Sequence, residues 1–297
     1  ISGALAGFGA GLYYLSAVAE WRPMESTALP AVGFNGIAVA LLASSNPIGI
    51  IFSALFISHI TIGGSLMNSQ YFPPEIADII SGIIIYLCAF ALLFQTMLSG
   101  RGRKKNAPPE SPPASEPPAE DGQRIMLLIK YTLLYAMVLM LVALGGCFSE
   151  HSGIINIALE GIMTIGGLVG IAMLVVMPAG TSNSVILLVS IGAAGLSGIL
   201  YSALLAFASI NLKADQTIGG TALNLLATAL AVVIARRFNT GTQAAKLSYS
   251  NAPFIYNIGG LTVNIFLFIG IALLLLSIFI MYRTRFGLRL RACGEHP

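Results

Sequence analysis

The chain has 297 residues, of which 56% are hydrophobic and only 9% charged, and its formal net charge is +3. Soluble domains carry about 25% charged residues, so a water-facing coat is excluded for most of this polypeptide and its apolar surface has to face lipid. The small net charge gives no basis for nucleic-acid binding, and the 32 glycines suit close approach of helices inside a membrane.

A helix that spans the hydrocarbon core needs roughly 20 apolar residues. Ile1 to Ala19 is the first such run; Glu20, Trp21, Arg22 and Pro23 end it, the tryptophan suiting a membrane interface. Gly33 to Leu42 is apolar but too short to cross, and Asn46-Pro47 breaks it. Ile48 to Ile62 follows, closed by Gly63-Gly64, and after a polar loop with Pro73-Pro74 a full span runs from Ile76 to Leu98. Glu75 and Asp78 flank its start, where a helix dipole favours acidic groups. Residues 101–124 differ in kind: a basic cluster (Arg101, Arg103, Lys104, Lys105) leads into a stretch of Pro, Glu and Ser that cannot bury apolar surface and reads as an extended, solvated linker. Beyond it lie Ile125 to Cys147, a polar interruption at 148–153, Ile154 to Met177, Val185 to Leu212, Thr217 to Ala235 ending in Arg236-Arg237, a polar loop at 239–258, and Leu261 to Tyr282.

The expected fold is therefore all-α: a polytopic transmembrane helix bundle with broken or re-entrant helices and about eight membrane segments. Its organisation is a first membrane block (1–100), a linker (101–124) and a second block (125–297). Basic residues concentrate on the cytoplasmic side of membrane proteins. Placing the clusters at 101–105 and 283–291 both inside makes the linker cytoplasmic and demands an odd number of crossings between 125 and 177. One of the two apolar runs there is then expected to fold back or stop part-way, at 148–160.

Polar groups at membrane depth are costly, by about 2.5 kcal/mol or more for a charge, and mark pathways or partners. Asn156 and Glu160 are four apart, hence on one helix face, beside Glu150 and His151. Broken helices at mid-membrane commonly build transport sites; the plainer alternative is an interfacial loop with Glu160 snorkelling. Asn224 lies mid-span and either lines a pathway or bonds a neighbouring helix. Asn35, in the short run 33–42, is a further pathway candidate. After the last span, Arg285-Phe286-Gly287-Leu288-Arg289-Leu290-Arg291 mixes basic and apolar residues and reads as a short amphipathic element at the cytoplasmic face, or as a plain positive-inside anchor.

No phosphate-loop motif G-x-x-x-x-G-K-[ST] occurs, so the chain does not hydrolyse ATP itself, and neither H-E-x-x-H nor G-x-S-x-G is present. His59, His151 and His296 have no metal-ligand spacing, Cys88, Cys147 and Cys293 read as apolar fillers, and no cofactor is called for.

Three stretches carry a resemblance. Phe148-Ser149-Glu150-His151-Ser152-Gly153-Ile154-Ile155-Asn156-Ile157-Ala158-Leu159-Glu160-Gly161-Ile162-Met163 closely resembles a hallmark of permeases from bacterial ABC importers for nucleosides. Asp215 to Leu226 resembles a second motif of that family, and Tyr282 to Pro297 a third. Gly33 to Leu42 and Asn46-Pro47-Ile48-Gly49 resemble the C-terminal half of the partner permease. The chain thus looks like the C-terminal half of one permease joined to the N-terminal half of the other, with both ends read as cuts. The resemblance implies a multi-pass protein of the bacterial inner membrane that works by alternating access. It implies as partners an ABC ATPase subunit, a partner permease half or subunit, and an extracytoplasmic substrate-binding lipoprotein. It places Phe286, Gly287, Leu288, Arg289, Arg291, Gly294, Glu295 and Pro297 in the element that couples to the ATPase, and a polar, uncharged solute near Asn156, Glu160, Asn224 and Asn35. Relatives in the superfamily import simple sugars or branched-chain amino acids; an ion-coupled secondary carrier, with Glu160 as its carboxylate, is the alternative from another class.

Overall fold

The computed structural model describes residues 1–16, 32–66, 80, 83, 119–178, 180–238, 255–258 and 261–295. The expected span Ile76–Leu98 (apart from two isolated positions), the linker at 101–118, the Trp21 interface and Pro297 lie outside the described residues.

The first block contributes α1 (Ser2–Leu15), α2 (Val32–Leu42) and α3 (Pro47–Leu66). Asn46 starts α3 as a cap: its Oδ1 accepts from the Ile48 and Gly49 N–H groups at 2.9 and 3.3 Å, while Pro47 takes the first helical position, where a missing N–H costs nothing. The helix continues through Gly63-Gly64 to Leu66, past the expected stop at Ile62, because glycine weakens a helix by only about 1 kcal/mol and the surrounding residues are apolar.

The second block supplies α4 (Ala119–Glu150), α5 (Leu159–Val176), α6 (Asn183–Ile210), α7 (Gln216–Phe238), α8 (Ile265–Arg283) and α9 (Arg285–Glu295). Between α7 and α8 lies a hairpin of β1 (Ile255–Ile258) and β2 (Leu261–Asn264), paired antiparallel with Ile255 opposite Asn264. The last span thus starts at Ile265, not Leu261, with the Asn264 side chain accepting from Phe266 N–H at 3.1 Å. Apart from that ribbon and the short connections between elements the described residues are helical, and six helices (α3 to α8) are long and apolar enough to cross a membrane.

Two expectations about the second block change. Residues 119–124 are helical rather than extended, and α4 runs on through Phe148-Ser149-Glu150, so the interruption narrows to 151–158. Neither apolar run folds back: both α4 and α5 qualify as crossings. The start of α4 and α9 consequently lie on opposite faces. The end of α4 touches α9 where the Gly294 backbone meets the His151 carbonyl. The junction of the linker with α4 therefore cannot share a side with the basic residues after α8, and the odd-crossing arrangement does not hold. Five of the expected spans, Ile48–Ile62, Ile125–Cys147, Val185–Leu212, Thr217–Ala235 and Leu261–Tyr282, correspond to helices long and apolar enough to cross, and Ile154–Met177 does so from Leu159, whereas the expected span Ile1–Ala19 is described only as the shorter helix Ser2–Leu15.

Helix α1 is the innermost element. It runs antiparallel to α4, with Ser2 beside Gly145 and Gly9 against Val138 and Val142. On its other side, Gly3, Gly7 and Gly11 recur every fourth residue and face α6, where a methyl on Gly198 would lie 3.0 Å from Gly7 Cα and 3.1 Å from Gly7 N. Gly166 of α5 closes on the same spot, a methyl there falling 2.9 Å from Gly7 Cα. Such small-residue seams let backbones touch where lipid gives no hydrophobic drive. Around this centre, 72% of the apolar window of α5 is buried in the protein against 33% for α3 and α6 and 28% for α7 and α8, so these four turn much of their apolar surface outward. Phe52 of α3, Leu188 of α6 and Ile218 and Leu225 of α7 are among the exposed residues.

Candidate functional site: a broken-helix junction

Two helices begin inside the body of the protein. The four leading N–H groups of a helix have no partner within it, and in a low-dielectric interior they need one. Helix α5 starts after Ala158, whose methyl offers no acceptor. The acceptor comes from another helix: Asn224 of α7 reaches across, its Oδ1 taking the Gly161 N–H at 2.7 Å while its Nδ2 donates to the Ile157 carbonyl at 3.0 Å. Gly161 has no room for a side chain here, since a methyl would sit 2.9 Å from Asn224 Oδ1.

Helix α2 is capped in the same borrowed way. Glu160, in the first turn of α5, accepts from the Phe34 N–H at 2.9 Å through Oε2, and the Gly33 N–H points at the same carboxylate. A negative charge at a helix N-terminus interacts favourably with the dipole, by up to about 2 kcal/mol when partly buried. Gly33 is required by contact: a methyl would lie 2.6 Å from Glu160 N and Cα.

Asn156 sits in the non-helical stretch between α4 and α5. Its Oδ1 accepts from Ala158 N–H at 3.1 Å and its Nδ2 donates to Ser2 Oγ at 3.0 Å, tying the stretch to the start of α1. Ile155 N–H is taken by Gln216 Oε1 at 2.9 Å, and Asp215 caps α7 by accepting from Thr217 and Ile218 N–H. These bonds tie the irregular backbone between α4 and α5 to the starts of α1 and α7.

Of the four pathway candidates, Asn156, Glu160 and Asn224 come together at this junction and are 8%, 1% and 4% exposed. Asn35 is half-buried, one residue past the Phe34 that Glu160 caps. Glu160 does not snorkel. Sequence reasoning missed Ser2, Gln216 and the backbone of Gly33 and Phe34. Gln216 carried a signal, the adjacent Asp215 at a helix start; the others act through contacts with distant segments.

After the last span, α9 presents Phe286, Leu288 and Arg289 outward, while Arg291 is half-buried with its guanidinium 5.6 Å from the Tyr282 ring centroid. Gly287 packs on the carbonyls of Ile280 and Met281, and Gly294 on that of His151. Glu295 closes the helix; its side chain is outside the described residues. Among the described residues, no three His, Cys, Asp or Glu side chains gather to hold a metal.

Asn224→Ala should lower stability by about 1–3 kcal/mol, the cost of leaving a buried donor unsatisfied. Asn224→Asp keeps the acceptor for Gly161 but sets an oxygen against the Ile157 carbonyl in a buried place, so it should cost at least as much. Melting temperatures in detergent check the order.

Comparison with known proteins fits this layout. The chain is 36% identical over 182 residues to the nucleoside ABC transporter permease protein NupC of Lactococcus lactis, covering 58% of this chain and 57% of that one. It is 35% identical over 185 residues to the guanosine ABC transporter permease protein NupQ of Bacillus subtilis, covering 59% and 58%. A shorter match, 36% over 98 residues, covering 33% of this chain and 26% of the relative, is to NupB of Lactococcus lactis, a nucleoside ABC transporter permease protein. The chain thus spans a little over half the length of the first two relatives. No solved structure matches. Residues 1–89 and 128–297 match the permease component of the branched-chain amino acid transport system, and with most of its length matched the chain belongs to that permease family.

Proposed function

We propose that this chain is the membrane-spanning part of an importer for nucleosides, driven by an ATPase made as a separate subunit. The observation that carries the reading is the pair of matches, at 36% and 35% identity, to a nucleoside and a guanosine ABC permease. A multi-pass protein of the inner membrane, it has no phosphate-loop motif of its own, so energy has to arrive from outside. Helix α9, amphipathic and directly after a span, is the surface for the ATPase subunit. A substrate-binding lipoprotein would deliver solute at the opposite face, and a partner permease would complete the translocation path.

The chemistry of the junction suits a polar, uncharged solute. Asn156, Glu160, Asn224 and Asn35 bring amide donors, amide acceptors and one carboxylate to the ends of α2 and α5. In the closed arrangement those groups cap helices. When the junction opens, the same groups are free to exchange their caps for the hydroxyls and ring nitrogens of a nucleoside, so no buried polar group is left bare at any stage. Alternating access then amounts to swapping one set of hydrogen bonds for another.

The test is uptake of radiolabelled guanosine, ribose and leucine into proteoliposomes carrying this chain with its cognate ATPase, partner permease and binding protein. Guanosine uptake that depends on ATP, and drops at least tenfold in Asn156→Ala, is the expected result. Uptake of ribose or leucine in preference to guanosine overturns the substrate assignment; uptake driven by an ion gradient without ATP overturns the mechanism.

A further inference from the structure

The Glu160 carboxylate engages two N–H donors at once, that of Phe34 at 2.9 Å and that of Gly33 beside it. Two adjacent N–H groups on one carboxylate is the pairing that a carboxylate also makes with a planar donor fork. Few uncharged solutes offer such a fork. Guanine does, through N1–H and the 2-amino group on its Watson–Crick edge, the edge by which extruded bases are read.

A base also needs a flat apolar surface, because hydrogen bonds that replace those to water give little net gain, and aromatic rings supply that surface. Three tyrosines gather near Glu160. Tyr13 of α1 lies edge-on to Tyr14, with ring centroids 4.9 Å apart at 71°, and tilted by 53° to Tyr135 of α4, with centroids 6.1 Å apart. Tyr14 and Tyr135 are buried, whereas Tyr13 is only partly so.

Ser2, which holds Asn156, and Tyr13 are about three turns apart on α1 and share one face. Side chains on a helix lean toward its N-terminus. Tyr13 therefore leans back along this face toward the junction, and its phenol is near enough to the Glu160 carboxylate for the two to interact electrostatically. The amide of Asn156 and the ring of Tyr13 thus stand at opposite ends of the face, with Glu160 reached from the Tyr13 end.

We propose that Tyr13 and Glu160 form a base subsite on the solute path: the Tyr13 ring stacks on a purine, and Glu160 exchanges its two backbone N–H partners for N1–H and the 2-amino group of guanine. The Gly33 and Phe34 N–H groups released in the exchange turn to water in the opened path. The sugar is left at the amide end, by Asn156. The inference rests on the nucleoside reading above and narrows it to bases that present two adjacent donors.

The experiment measures binding of tritiated guanosine to the complex of this chain with its partner permease and ATPase, the lipoprotein being left out so that its own selectivity does not enter. Unlabelled guanosine, inosine (which lacks the 2-amino group), 1-methylguanosine (whose N1–H is blocked) and ribose compete. Guanosine should displace the label best. Inosine and 1-methylguanosine should each be about tenfold weaker, the loss of one hydrogen bond to a charged acceptor, and ribose weakest. Tyr13→Leu, close in volume but without the ring, should bind guanosine about fivefold or more weakly, the loss of one stacking contact, with Tyr13→Phe between it and wild type. Melting temperatures in detergent show whether the leucine variant is folded, and the competition series on wild type needs no substitution. Equal displacement by guanosine, inosine and 1-methylguanosine, or a folded Tyr13→Leu chain of unchanged affinity, overturns the subsite and leaves the nucleoside reading standing. A wild-type complex that retains tritiated ribose or leucine in place of guanosine defeats the nucleoside reading, and the subsite with it; one that retains none of the three overturns the subsite.

Discussion

Leucine in place of Gly7 is expected to empty the folded population of this protein in mild detergent. Three helices meet at that residue. Gly198 of α6 comes close enough that its own added methyl would lie 3.0 Å from Gly7 Cα, and Gly166 of α5 close enough for 2.9 Å. A methyl on Gly7 itself would strike the Ala194 carbonyl and fall 3.2 Å from Gly195 Cα. The obstructing atoms are backbone, so no rotamer change relieves the clash, and α1 has to part from its neighbours. Overpacking costs about 1–3 kcal/mol where side chains can yield, and more where they cannot, so the upper end or beyond is the expectation here. Gly192, whose added methyl meets nothing within 4 Å, is the control: Gly192→Leu on the same helix bundle should be tolerated. Size-exclusion profiles of the two variants after mild heating decide the matter. Equal monodispersity of both would show that the α1 seam is not the tightest point of the fold.

The second large effect is at Glu160. Glu160→Ala removes the acceptor from Phe34 N–H and leaves the head of α2 bare among apolar groups. An unsatisfied buried donor costs about 1–3 kcal/mol, and the favourable charge–dipole interaction is lost as well. Glu160→Gln keeps one carbonyl oxygen for the same N–H but gives up the second acceptor oxygen that the carboxylate offers Gly33, so it should keep part of the stability that Glu160→Ala loses. The melting temperature in detergent should fall in the order wild type, Gln, Ala. Guanosine uptake should follow the same order, with Ala at least tenfold down. An alanine variant as stable as wild type would mean that α2 finds its cap elsewhere, whereas a stable but inactive glutamine variant would place the charge itself in the transport step.

The spans were legible because burying apolar side chains in lipid is a property of composition, which a window of sequence carries in full. The starts of α3 and α7 were marked by Asn46-Pro47 and Asp215, since those caps act within three residues. The starts of α2 and α5 were not, because their caps are Glu160 and Asn224, which act across 126 and 63 residues. Glu160 and Asn224 were each singled out from the sequence for a sound reason, the cost of polar groups at depth, yet that cost says only that a partner exists. The Gly3, Gly7 and Gly11 spacing was visible in the sequence, but its meaning depends on which helix it faces. The side of the membrane on which the linker joins α4 depended on whether α4 and α5 both cross, a question of packing that basic residues alone do not answer.

Helix α1 belongs to the stretch before the linker and yet occupies the centre of the helices that follow it. Neither stretch can then be a separate folding unit, because removing the first would uncover the middle of the second. A protease cut placed in the proline-rich connection would leave two polypeptides that travel together and unfold in one transition, much as a nicked hormone keeps its shape until heat takes both pieces at once.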